Sequence, residues 1–140
     1  MLLVDSEGPV SQLDPWEYIR LRTGDGWERP PGASDEQLQL MVQTMEAWFF
    51  ADRKELEEFY GHDFRSSSLS PRSDIENIPK RDLFTGLQSA TADCRKGAYS
   101  KGEHSFQILA RIDPAKVRAA SPVWAERFVC ALDRMCTSPD

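Results

Sequence analysis

Met1 to Val4 is a short apolar run closed at once by Asp5, Ser6 and Glu7 and then by Gly8-Pro9, which predicts a buried strand and a turn. Residues 14–22 place Asp14 at an N-cap and Pro15 at the first helical position, with Trp16 and Ile19 on one face, so a short helix is expected. Residues 23–35 hold three glycines and two prolines and read as a surface loop. Leu38 to Val42 is a second strand, after which Thr44 opens a helix through Met45, Trp48 and Phe49. Asp52 with Glu55 has the capping-box pattern and starts a helix through Leu56, Phe59 and Tyr60 that Gly61 stops. The Ser-rich, proline-containing stretch 62–79 reads as a second surface loop.

Over 81–94, Leu83, Phe84, Leu87, Ala90, Thr91 and Cys94 form one helical stripe, and after a break at Gly97 to Gly102 a second stripe runs through Phe106, Leu109 and Ile112. Asp113-Pro114 and Ser121-Pro122 are each an N-cap followed by proline, so two more helices start there; the last presents Trp124, Phe128, Ala131, Leu132 and Met135 as a core-facing stripe. The fold class expected is therefore α/β, with two short strands near the N-terminus followed mainly by helices. Two adjacent strands seldom make a stable sheet alone. The pattern thus predicts a single domain over 1–140 that is the C-terminal portion of a larger one.

Composition supports a thin core. Leu, Ile, Val and Phe supply 30 of 140 residues, about 21%, just above the level at which a chain fails to build a core. The mean hydropathy is −0.53. No apolar run approaches a membrane span, and the start MLLVDSEG meets charge at Asp5, so a cytoplasmic protein is expected. Cys94, Cys130 and Cys136 are odd in number and form no CxxC pair, which suggests neither a disulfide framework nor a zinc site. Nucleotide-binding glycine loops, HExxH and GxSxG are all missing from the sequence.

The net charge of −6 argues against a protein that coats nucleic acid through global charge, but its distribution is uneven. Residues 1–37 carry −5 and 38–79 carry −4, whereas 80–118 carry +4. That separation suits a site with metal on one side and phosphate on the other. Asp5 and Glu7 stand two apart at a strand end, where period-two alternation sends both carboxylates to the same side; such a pair can hold Mg²⁺ or Mn²⁺, and strand ends also use acidic residues simply to begin turns. Glu46, in the first turn of the helix after the second strand, either caps that helix or completes an acidic cluster if the strands are neighbours. The segment 94–106 gathers Arg95, Lys96, Tyr99, Lys101 and His104 around two glycines, a composition that can bind phosphate, with His104 as proton carrier or anion donor.

The stretches LLVDSEGPV, DGWERP, LMVQTMEAWFFAD, KGAYSKGEHSFQIL, IDPAKVRAASP and WAERF together resemble the prokaryotic domain-of-unknown-function family DUF4276, regarded as Toprim-like. The resemblance implies an α/β domain with a parallel sheet, a strand-end Glu as acid/base, and a later strand ending in an Asp-x-Asp pair for Mg²⁺. Asp5-Ser6-Glu7 matches that second motif with Glu in place of the second Asp. The first motif has no counterpart here, so the resemblance implies that an N-terminal strand, helix and strand are lacking and that this chain alone is inactive. It further implies a Mg²⁺-dependent nuclease or other phosphoryl-transfer enzyme in phage-defence or mobile-element biology. In that reading Asp5 and Glu7 hold metal, Glu46 supports them as a catalytic residue with His104, and Arg95, Lys96, Tyr99 and Lys101 face phosphate. The alternative is a non-catalytic module that partners an ATPase or another larger protein.

Overall fold

The structure is a computed structural model and describes residues 1–138. It is a mixed α/β chain, mainly helical, with two short parallel strands at the N-terminal side and seven α-helices among the described residues. Strand β1 (Leu2–Asp5) pairs with β2 (Leu38–Met41) in register Leu2 to Leu38 through Asp5 to Met41. Helix α1 (Pro15–Leu21) is the crossover between them, and its start is fixed locally, since the Asp14 carboxylate accepts from the amides of Trp16 and Glu17.

The sheet divides the interior. Leu38, Leu40 and Val42 pack with Trp16, Ile19 and Trp124 on one side, and Val4 leans on that cluster. Leu3 and Met41 face the larger cluster built from α2 (Met45–Ala51), α3 (Arg53–Tyr60), α4 (Lys80–Thr91), α5 (Lys101–Leu109) and α6 (Pro114–Ala120). Phe49, Leu56, Leu83, Leu87 and Ile108 are fully buried there, each contributing about 2 kcal/mol of apolar burial. Helix α7 (Trp124–Thr137) packs back over β2. None of the described helices is long and apolar enough to cross a membrane.

Asp52 joins α2 to α3. Its carboxylate accepts from Glu55 N–H at 3.4 Å, as the capping pattern predicts, but Glu55 does not reciprocate and pairs instead with Arg111. Three expectations need correction. The 62–79 stretch contains no α-helix or strand, yet it is not merely surface: Leu69, Ile75 and Ile78 enter the core on two 3-10 turns. In α5 the buried face is His104, Ser105 and Ile108; Leu109 and Ile112 join the core as expected, but Phe106 is 73% exposed, because none of the described elements covers its face. Helix α7 begins at Trp124 rather than at Pro122, with the Ser121 hydroxyl still accepting from Ala125 N–H, and the outer part of its stripe, Leu132 and Met135, is not buried.

Candidate functional site at the strand ends

Parallel strands leave their last residues at a common rim, and chemistry gathers outside that rim. Asp5 ends β1. Its Oδ1 accepts from the Met45 amide at 2.7 Å, so it caps α2 from a neighbouring strand where Thr44, the residue in the cap position, makes no side-chain cap bond. Beyond the strands the pairing continues, with Ser6 N–H donating to Met41 O and Glu7 N–H to Gln43 O. The peptide bond between Val42 and Gln43 is cis. Gln43 is the hub of this turn, since its carbonyl also accepts from the Ser6 hydroxyl and its side-chain Oε1 accepts from the Lys80 amide at the start of α4. Helix α1 clamps the same rim, through Tyr18 OH to Ser6 O at 2.6 Å and Arg22 to Asp5 O at 2.7 Å.

The expected proximity of Glu46 to Asp5 is present. Lys101 Nζ lies 3.6 Å from Asp5 Oδ2 and 3.9 Å from Glu46 Oε1, so one ammonium faces both carboxylates. Glu46 has no solvent exposure; its Oε1 accepts from Tyr99 OH at 2.7 Å, while Oε2 has no partner among the described residues. The buried Thr44 hydroxyl is likewise unpartnered. Such orphaned groups in an interior are uncommon and costly.

Glu7 behaves differently from the period-two reading. The strand ends at Asp5, Glu7 has φ of 65°, and its carboxylate pairs with Lys80. Alternation therefore does not run through it, and Asp5 and Glu7 are matched to separate lysines. Among the described residues, no three His, Cys, Asp or Glu side chains are grouped so as to hold a metal ion by themselves.

The basic segment divides in two. Tyr99 and Lys101 join the acidic rim. Tyr99 is fixed there by its amide donating to Thr91 Oγ1 and its carbonyl accepting from Gln88. It is thus a donor to Glu46 rather than a free phosphate contact. Arg95 and Lys96 instead line a cavity of about 680 Å³ with Phe59, Tyr60, His62 and Asp63, and Lys96 Nζ sits 4.9 Å from the centre of the Phe59 ring.

His104 is buried beneath these groups. The Ser100 amide, which can only donate, reaches its Nδ1 at 3.2 Å, and Tyr60 OH lies 3.1 Å from the same nitrogen. Nδ1 is therefore an acceptor and the ring proton belongs on Nε2, which is left as a hydrogen-bond donor.

Electrostatics follow from burial. Desolvation pushes the Asp5 carboxyl above its ordinary value, against the Met45 amide and Lys101, which favour the anion, while Glu46 and Glu7 add to the rise. Burial and the bond to Glu46 push the Tyr99 phenol well up, and burial does the same to Tyr60, so both stay protonated donors.

Sequence reasoning missed Lys80, Gln43 and Thr44. Lys80 was one of several cations in a basic stretch, and its partner Glu7 lies 73 positions away, so no local spacing marks the pair.

The model of the family described as "Domain of unknown function (DUF4276)" matches residues 1–133. No curated protein and no solved structure matches the chain.

Proposed function

The chain belongs to the DUF4276 family, and we propose that its strand-end rim is the metal- and phosphate-binding part of a Toprim-like phosphoryl-transfer site, in a nuclease acting with Mg²⁺ or Mn²⁺. The observation that carries this reading is the convergence of Asp5 and the buried, half-satisfied Glu46 on one cation position at the carboxyl end of parallel strands. The donor set is suited to a hard cation, because Asp5 Oδ2 and Glu46 Oε1 are carboxylate oxygens facing one position that already takes positive charge. A bound divalent cation would supply Lewis-acid polarisation of a phosphoryl oxygen.

In this reading Asp5 and Glu7 hold the metal once their lysines give way, and Glu46 orients the site from beneath, itself aimed by Tyr99. Lys101 and Lys80 face the substrate phosphates. His104 Nε2–H donates a hydrogen bond to an anion. Arg95 and Lys96, set apart around Phe59, take phosphates farther along a nucleic acid strand.

Isothermal titration of the full chain with Mn²⁺ tests this. Binding that is lost in Asp5→Ala supports the site, and binding that is the same in wild type and Asp5→Ala contradicts it.

A second reading, a non-catalytic module docking on a partner such as an ATPase, is favoured by a different observation. An apolar groove of about 460 Å³, lined by Leu3, Trp48, Leu109, Ile112, Phe128 and Leu132, lies beside β1, whose outer edge has no strand partner among the described residues. This reading predicts no Mn²⁺ binding sensitive to Asp5→Ala.

A further inference from the structure

The carboxylates of the rim are each matched by a lysine from a distant element. Lys101 is the first residue of α5 and Lys80 the first residue of α4. A cation at a helix start meets the positive end of the macrodipole. Their own helices therefore do not favour these positions, and the ammonium groups are held there by Asp5, Glu46 and Glu7.

Exposure is unequal across the Lys101 pairs and equal across the other. The Lys101 side chain is 56% exposed, whereas Asp5 is 16% exposed and Glu46 not at all; Lys80 and Glu7 are each 43% exposed. At Asp5 and Glu46 the negative charge is enclosed by the fold and the positive charge faces water. The site also has polar capacity the lysines do not use, since Glu46 Oε2 and Thr44 Oγ1 are buried without partners among the described residues.

We propose that Lys101 is an exchangeable counter-ion: it neutralises Asp5 and Glu46 in the metal-free chain, yields those two carboxylates to a divalent cation, and then presents its ammonium group, with the amide-bearing start of α5, to the phosphates of a nucleic acid. This rests on the metal-site reading above and adds a coupling to it. Metal binding frees the cation that binds the polyanion, so each ligand strengthens the other by the same factor. The released ammonium then works with the start of α5, which favours anions.

The test uses the full chain, Mn²⁺ alone, and a fluorescein-labelled single-stranded oligodeoxynucleotide. Lys101→Met keeps the apolar stem and removes the charge, so its Mn²⁺ dissociation constant is expected to fall about fivefold relative to wild type, the weight of one screened unit charge near 4 Å. Lys101→Arg restores the counter-ion and returns affinity toward wild type, and Lys80→Met changes it less because Glu7 and Lys80 are both well exposed. In fluorescence anisotropy, saturating Mn²⁺ tightens oligonucleotide binding to wild type, and this gain disappears in Lys101→Met. If Lys101→Met binds Mn²⁺ no more tightly than wild type while Asp5→Asn abolishes binding, the exchange is wrong and the metal site stands. If no variant binds millimolar Mn²⁺, both readings fall.

Discussion

Glu46 and Asp52 are two carboxylates sealed from solvent at opposite ends of α2, and the fold treats them in opposite ways. Asp52 is saturated. One oxygen takes Glu55 N–H and the Lys116 ammonium at 3.0 Å, and the other takes Asp113 N–H at 2.9 Å, so a single side chain ties α3 to the start of α6. Burial opposes ionisation of Asp52, but the Asp113 amide, Lys116 and the Glu55 amide outweigh it and hold its carboxyl below the ordinary range. Glu46 is left half-finished. Tyr99 satisfies one oxygen, Lys101 approaches it only at 3.9 Å, and the other oxygen has nothing. A buried charge fully provided with donors is explained by the fold it holds together, whereas one left with spare valence points to a ligand.

The contrast is open to direct attack, starting where the effect is largest. Asp52→Ala removes an N-cap and strands the Asp113 amide, and thermal unfolding should show a loss of about 2–3 kcal/mol. Tyr99→Phe removes the hydrogen bond that Tyr99 OH donates to Glu46 and should cost about 1–3 kcal/mol by the same measurement. Glu46→Gln retains an acceptor for Tyr99 and replaces a bare anionic oxygen, so stability should change by less than about 1 kcal/mol while Mn²⁺ affinity falls. Equal destabilisation by Asp52→Ala and Glu46→Gln would remove the distinction between them.

The two ends of α2 should also separate by pH. Asp52 has a depressed folded value, so its stabilisation is present above its unfolded value and is lost as pH falls through the lower folded one; chemical denaturation between about pH 5 and pH 2 should detect this slope and its removal in Asp52→Asn. Asp5 carries the opposite sign. Its folded value is raised, so between the ordinary value and the higher one the folded chain binds more protons and stability declines as pH rises. Asp5→Asn should remove that decline. The smallest effect belongs to Arg95→Ala, an exposed change expected to move stability by no more than about 0.5 kcal/mol and to leave Mn²⁺ affinity unaltered, because Arg95 lines the Phe59 cavity and not the rim.

How much of this was readable beforehand depended on the range of the interaction. Asp14-Pro15, Asp52 with Glu55, and Asp113-Pro114 mark helix starts because a cap is decided within four residues, and all three are found where the sequence puts them. The adjacency of Glu46 and Asp5 was legible only on the condition that the two strands are neighbours, which the pairing of β1 with β2 meets. The 62–79 stretch misled because Leu69, Ile75 and Ile78 are buried without any periodicity, held by the helices around them. Phe106 misled for the converse reason, as its helical spacing is right but no element covers that face. In the site, the pairings of Glu7 with Lys80 and of Tyr99 with Glu46 join residues 73 and 53 positions apart, which neither spacing nor composition encodes.

Whether the strand-end rim takes a divalent cation through Asp5 with Glu46 behind it is decided by the electron paramagnetic resonance signal of free Mn²⁺ titrated with the full chain. Wild type should deplete the free-ion signal, Asp5→Asn should abolish the depletion, and Glu46→Gln should weaken it while unfolding at nearly the wild-type temperature. Identical depletion by wild type and Asp5→Asn, or none by wild type, would contradict the metal-site reading.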